Sequence, residues 1–378
     1  MSKIRKQAAG VLSCMDVRAR MIDTARNMCS VREDILELDK QGLPRWLVRG
    51  TPRWFVPLGN WRIRRSGSKV YPALRWRARA YRAALRAWIT LGGARLTHHV
   101  EGAKRDGGWP LGELLLADMP TLSTAAVSIG IPGPAQKITL QLMDSNGRIL
   151  GFAKYADKPY TERLLTNEAQ MLERLPENVA PRLIRFTRFL EGVLLVQTPL
   201  WGRPRTPRPR LDPAQVKLFK RLVRPGETYA ATRHPLVESL RAQAYGERRD
   251  TLEAIVEVFE DSKWPAAWMH GDMAPWNMHW WRGSCLAFDW EHGTEMGFAY
   301  LDAAATLIQV ASVMKRADPR RAKRAVAQEL EERLPAGYGS FAPAVAALSA
   351  MNMLVSWYPP RKPDAFEVWL EAFIEAPP

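Results

Sequence analysis

The sequence predicts an α+β protein, and three observations carry the prediction. Residues 125–198 hold short alternating or apolar runs separated by turn residues, which is how strands read. Helical stretches follow from residue 213 to the C-terminal end. The positive charge, by contrast, is gathered in the first third. Residues 1–110 carry 23 Lys and Arg against 8 Asp and Glu, so +15 of the net +16 lies there. A chain of 378 residues, 47% hydrophobic and 25% charged, is globular, with room for two domains or for two lobes and an extension. The pI near 10.0 describes the first third and points it toward an anionic surface or partner. Cys14, Cys29 and Cys285 are scattered, which argues against a disulfide framework or a zinc site and fits a reducing cytoplasm.

Residues 1–122 read as a basic, mostly helical extension. Residues 1–20 do not read as a secretory signal, because Asp16, Arg18 and Arg20 interrupt any apolar core. Val17–Met28 and Val31–Leu38 predict helices, the second with Ser30 as N-cap and Asp34 near its first turn. Leu47–Gly59 is punctuated by Pro and Gly and predicts short extended pieces. Pro72–Leu91 predicts an amphipathic helix. Leu74, Ala78, Tyr81, Leu85 and Trp88 form one stripe, and Arg75, Arg79, Arg82 and Arg86 sit one position later. Gly92 and Gly93 end it. Three uses of this helix stay open. It can dock on the rest of the protein with a solvated basic face. It can lie on an anionic membrane surface, rings inserted and guanidinium groups on lipid phosphates. It can attract another polyanion such as a glycan. Nucleic acid feels the same field but is not expected as a partner.

The next part, residues 123–198, predicts a small antiparallel sheet. Ala125–Gly130 is a strand, Ile138–Met143 alternates, Asp144–Gly147 is a hairpin turn and Ile149–Tyr155 returns. The loop from Ser128 to Lys137 carries Gly130 and Gly133, which allow backbone N–H groups to approach phosphates. Lys154 follows on the return strand, between Ala153 and Tyr155. Thr161–Leu175 predicts a helix with Leu164, Leu165, Met171, Leu172 and Leu175 on its apolar face and Glu168 beside that face. Pro181–Phe186 and Gly192–Thr198 are two more strands, and Gly202–Arg210 is a Pro/Arg loop.

Residues 199–378 read as mainly helical: Pro213–Leu222, Pro235–Tyr245, Thr251–Phe259, Ala303–Arg316, Arg320–Leu334, Pro343–Trp357 and Ala365–Glu375. Ala336–Pro360 has no charged residue and is long enough for a membrane span, but Pro343, Ser349, Asn352 and Ser356 interrupt it. It reads as a buried helix. Trp264, Trp268, Trp276, Trp280, Trp281 and Trp290 crowd this part, and core packing is the expected use for most of them.

The chemistry lies in His270–Asn277 and in Phe288–Glu291. Phosphoryl transfer needs a carboxylate for the acceptor hydroxyl and acceptor oxygens that hold Mg²⁺ against the phosphates. Asp272, Asn277 five residues on, and Asp289 after the apolar run Leu286–Phe288 supply those groups. Protein kinases write the same elements as H-R-D-x-x-x-x-N and D-F-G. Here Gly271 stands in place of the Arg. The sequence resembles the aminoglycoside phosphotransferase/choline kinase-like family over about residues 123–320.

That resemblance implies a two-lobed protein kinase-like fold, with lobes at residues 123–198 and 199–378, and ATP and Mg²⁺ as cofactors. It implies Asp272 as catalytic base, with Asn277 and Asp289 as metal ligands. It implies Lys154 on the ATP phosphates and paired with Glu168, for which Glu162 and Glu173 are alternatives. The Gly130–Gly133 loop would lie over the phosphates, and the Gln197–Leu200 backbone would meet adenine. Glu291 is an accessory candidate for a second metal or the substrate. His270 would brace the loop, and Asp302 would cap the following helix and brace the same loop. The implied acceptor is a hydroxyl on a small molecule or saccharide, in the cytoplasm. Three alternatives stay open: a lipid-linked or surface-polysaccharide acceptor at the inner membrane face, a protein kinase, which Gly271 in place of Arg and the lack of an A-P-E segment disfavour, and a non-catalytic nucleotide-binding protein.

Overall fold

The computed structural model describes residues 19–29, 34–39, 52–70, 76–93, 109–200, 202–357 and 364–377. The chain divides into two compact units. The first is Met1–Thr166 with Arg182–Pro199, and the second is Asn167–Pro181 with Leu200–Pro378.

A seven-stranded antiparallel sheet is the frame of the first unit, in the order β1-β2-β3-β4-β5-β7-β6. Its strands are β1 (Ile35–Asp39), β2 (Pro52–Pro57), β3 (Leu122–Ile129), β4 (Ile138–Asp144), β5 (Ile149–Ala156), β6 (Leu183–Phe189) and β7 (Gly192–Gln197). The predicted hairpin is present, with Leu140 opposite Ala153 and Thr139 opposite Lys154. Helices α1 (residues 19–29) and α4 (Pro110–Leu115) help fill one core with Met21, Ala25, Met28, Leu111 and Leu115 against Phe55, Val127 and Leu140. Between these helices lie α2 (Trp61–Gly67), whose N-terminus Asn60 caps through its side chain, and α3 (Trp76–Thr90).

One expectation is corrected here. Residues 35–39 form a strand, not the second half of a helix. Ile35 faces the core beneath α1, while Leu36 and Leu38 face a second core with Trp54 and Val56. Both faces of the strand are therefore buried, the apolar/polar alternation that marks a half-exposed strand is lost, and the run reads as helix. Helices still make up most of the described residues of the basic first part. That part also supplies two strands that enlarge the sheet, and β2 pairs directly with β3.

Helix α3 docks through Tyr81, Leu85 and Trp88 of the predicted stripe and through Ile89, which lay outside it. Leu85 and Ile89 are buried with Leu36, Leu38, Trp54 and Val56, and Tyr81 and Trp88 pack at the edge. The apolar body that an interfacial helix would insert into lipid is thus used inside the unit. Leu74 and Arg75 lie outside the described residues, as do the side chains of Arg77, Ala78, Arg79 and Arg82. So do Val17, Arg18, Ser30, Val31 to Glu33, Leu47 to Thr51 and Tyr358 to Pro360.

Helix α5 (Pro159–Arg174) contributes its first turns to the first unit, where Leu165 packs on Ala156 and Val193. Its remaining turns, from Asn167, belong to the second unit.

The second unit is mainly helical: α6 (Pro213–Leu222), α7 (Pro235–Gln243), α8 (Glu247–Glu257), α9 (Leu301–Gln309), α10 (Pro319–Arg333), α11 (Ala342–Trp357) and α12 (Ala365–Glu375). Asp212 and Gln215 close α6 with a capping box. Three strands, β8 (Val223–Ala230), β9 (Lys263–Met269) and β12 (Thr294–Phe298), form a sheet in the order β12-β9-β8. A separate hairpin joins β10 (Met278–Trp281) to β11 (Ser284–Ala287). Strand β8 departs from the predicted pattern. It is an edge strand whose pairing shifts between Val223 and Thr228, around Pro225 and Gly226, and both residues weaken a strand signal.

Gly339–Trp357, which contains helix α11, is long and apolar enough to cross a membrane by length and composition, yet 67% of its most apolar window is buried within the protein. Helix α11 packs on α7, α8, α9, α10 and α12, as a core helix does. The buried Trp264 stacks on Phe298 at 4.8 Å and donates its indole N–H to the Ala299 carbonyl, so packing is its use.

Ile89 of α3 is 0% exposed. Ile89→Ala should lower stability by about 2–5 kcal/mol, read as a shift in the urea midpoint. An unchanged midpoint would mean that α3 is not part of the core in solution.

Candidate active site

Strand β9 delivers the chain into the loop of residues 270–277, and one buried carboxylate fixes that loop. Asp302 accepts the backbone N–H of His270 at 2.6 Å and of Gly271 at 3.2 Å. Its expected bracing role is present, but it does not cap α9. The N-cap position is Tyr300, and Asp302 lies inside the first turn with its carboxylate turned to the loop. Burial pushes the Asp302 carboxyl up to about 7, while the two N–H bonds pull it down and the Asp272 carboxylate adds to the rise.

The His270 side chain spans the site. Its Nδ1 accepts the Asp272 backbone N–H at 3.2 Å, which leaves Nε2–H to donate to the Phe288 carbonyl at 2.9 Å. Its ring lies 4.7 Å from that of the buried Trp290. Gly271 has φ +79°, and a Cβ there would stand 2.4 Å from the His292 carbonyl oxygen. Only glycine fits both demands. That explains why the position holds no arginine.

Asp272 is held from two sides. Gln309 donates to its Oδ1 at 3.1 Å, and Asn277 donates to its backbone carbonyl at 3.0 Å. With the Asn277 nitrogen so used, its side-chain oxygen is the atom left for a cation. Thr306 donates to the Met273 carbonyl at 2.8 Å. The Phe288 N–H donates to the Asn277 carbonyl at 3.0 Å, tying the loop to the approach of Asp289.

Asp289 follows β11 with φ +72°, a left-handed conformation that Asp tolerates better than most residues. Its carboxylate gathers with those of Glu168 and Glu291, each offering an oxygen within 4.8 Å of the others. All-oxygen donors gathered this closely suit a hard divalent ion such as Mg²⁺. These residues therefore fit a metal. Asn167 holds the same corner, donating to the Glu291 carbonyl at 3.0 Å and the Gly293 carbonyl at 2.9 Å.

The remaining candidates belong mostly to the first unit. Lys154 is 6% exposed on β5, opposite Thr139 and Leu195. Gly130 does not offer its N–H to a ligand, because that group donates to the Lys137 carbonyl at 2.9 Å and closes the loop neck. Gly133 has open surroundings. The side-chain oxygen of Gln197 is buried and has no hydrogen-bond partner among the described residues. Leu200, in the second unit, is half-buried. Within the second unit Glu168 groups with Asp289 and Glu291.

The reading of the sequence missed Gln309, Thr306 and Asn167. A signal for the first two exists. Helix α9 is apolar apart from Asp302, Thr306 and Gln309, spaced four and three apart, so one stripe of polar side chains faces the loop.

No protein-family model matches the chain, and no curated protein matches it. Among solved structures, an ethanolamine kinase of Plasmodium vivax is similar at 12% identity, over 66% of this chain and 81% of its own, with a TM-score of 0.39. A thermostable mutant of an aminoglycoside phosphotransferase, in ternary complex with ADP and hygromycin B, is similar at 11% identity, over 70% of this chain and 97% of its own, with a TM-score of 0.40. At these values the reading of the site rests on the chain's own residues.

A carboxyl raised in the folded state stabilises fully below its unfolded pKa, and that contribution is lost as pH rises through the folded value. The stability difference between wild type and Asp302→Asn should therefore fall from pH 4 to pH 7. Urea midpoints at several pH values give the measurement. A difference that stays constant across the range would show an ordinary Asp302 carboxyl.

Proposed function

We propose that this protein is a phosphotransferase that moves the γ-phosphoryl group of ATP to a hydroxyl on a small molecule or saccharide. The observation that carries the reading is the placement of Asp272. Gln309 and Asn277 hold it on a loop whose backbone is clamped by Asp302, within the same unit as the Glu168, Asp289 and Glu291 carboxylates.

In this reading Asp272 orients the acceptor hydroxyl and takes its proton as the oxygen bonds to the γ-phosphorus and the bond to the ADP oxygen breaks. Its two amide partners prevent rotation away from the acceptor. Asp289, the Asn277 oxygen and Glu291 are the residues that would hold Mg²⁺, and the bound ion would offset phosphate charge. Lys154 and the loop with Gly133 carry the phosphate contacts of the proposal, and the pairing of Lys154 with Glu168 is part of it. The unpartnered oxygen of Gln197 supports a contact with the nucleotide base, with Leu200 beside it in sequence. The +15 of residues 1–110 favours an acceptor or partner that is anionic, including a lipid-linked glycan at the inner membrane face.

The test is ATP consumption with a panel of sugars, aminoglycosides, amino alcohols and lipid-linked glycans. Asp272→Ala should lower turnover by about 10³-fold with nucleotide binding retained, because Asp272 acts on the acceptor. Equal turnover in wild type and variant would remove the assignment. Asp289→Ala should weaken Mg²⁺-dependent ATP binding more than Asn277→Ala, since it removes a full charge. Identical Mg²⁺ titrations for wild type and Asp289→Ala would place the metal elsewhere.

A further inference from the structure

The loop between β3 and β4 leaves the sheet at Ile129. It closes its own neck: Gly130 donates to the Lys137 carbonyl at 2.9 Å, and the Gln136 amide to the Gly130 carbonyl at 3.2 Å. A third hold comes from the N-terminal part of the chain. Arg53 of β2 donates from Nε at 3.2 Å and from Nη2 at 3.1 Å to the same Ile129 carbonyl. Its guanidinium also lies over the Trp54 ring at 5.5 Å. A planar guanidinium with two donors on one acceptor, stacked on an indole, has little freedom left.

The register explains why this matters. Strand β2 meets β3 only at Trp54 opposite Ser128 and Phe55 opposite Val127. Arg53 is the next residue outward, and its side chain carries the attachment to the last residue before Gly130. The end of α1 is fixed to the same strand, with Cys29 Sγ donating to the Ala125 carbonyl at 2.9 Å and Thr124 Oγ1 donating to the Cys29 carbonyl at 3.2 Å. Met21 and Ile22 of α1 border a small pocket with Arg53, Gly130 and Pro132.

We infer that the N-terminal strands are a brace for the β3–β4 loop and that Arg53 is the positioning residue that sets where the loop begins. The inference rests on the proposed function only in taking that loop as the one facing phosphate. It gives the basic first part of the chain a role in nucleotide affinity without contact with the nucleotide.

The experiment uses the full chain as wild type, Arg53→Ala and Arg53→Lys. It reads amide hydrogen exchange over residues 129–137, the Kd for ATP, kcat and the melting temperature. Arg53→Ala should speed exchange over 129–137 about tenfold, leave β4 and β5 unchanged, and raise the ATP Kd about tenfold with kcat unchanged. Arg53→Lys should fall between the two, since an ammonium meets one acceptor with one donor. Unchanged exchange over 129–137 in Arg53→Ala overturns the inference. A rise spread evenly over the whole first unit, with a lower melting temperature, overturns it too and makes Arg53 a stability residue alone. Faster loop exchange with an unchanged Kd overturns the link to nucleotide. A wild-type protein that binds no ATP overturns the phosphate reading of the loop, and the exchange data still decide the brace.

Discussion

A single carboxylate buried without a cationic partner in its hydrogen bonds organises the second unit. Asp302 takes two consecutive backbone N–H groups of the loop of residues 270–277 and projects from a helix whose other polar residues are Thr306 and Gln309. Desolvating a carboxylate is unfavourable, and the N–H bonds offset part of that. The result is a loop that cannot slide along β9. His270 then carries the constraint across to Phe288, and Phe288 is bonded in turn to Asn277. Asp272, Asn277 and Asp289 are consequently fixed through one connected set of bonds, and disturbing any one is expected to move the others.

Glycine at position 271 belongs to that set. Its positive φ lets two successive N–H groups converge on one carboxylate, and the missing Cβ admits the His292 carbonyl. A loop built this way has no place for the arginine of the protein-kinase pattern. A change of Gly271 to any larger residue asks residues 290–293 to move as well. The two loop styles are separated by backbone, and not by one side chain.

Much of this was legible in the sequence because the relevant signals are local. The hairpin of β4 and β5 shows alternation and a turn, and the loop of residues 270–277 shows its residue types at fixed spacing. Long-range features were not legible. Strand β1 is buried on both faces, so its pattern matches a helix. Strand β8 contains Pro225 and Gly226 and pairs only because β9 lies beside it. Gln309 sits 37 residues from Asp272 and finds it only through the packing of α9. Glu168 gathers with two carboxylates that lie more than 120 positions away in sequence.

Helix α11 has a consequence for how the chain is made. Outside the folded protein it carries enough apolar surface to enter a bilayer. During translation, however, α7, α8, α9 and α10 leave the ribosome before it, and of its helical neighbours only α12 comes later. The groove that receives α11 is therefore nearly complete when the helix emerges. The order of elements along the chain favours burial in the protein over partition into lipid, with no charged residue in the helix to enforce the choice.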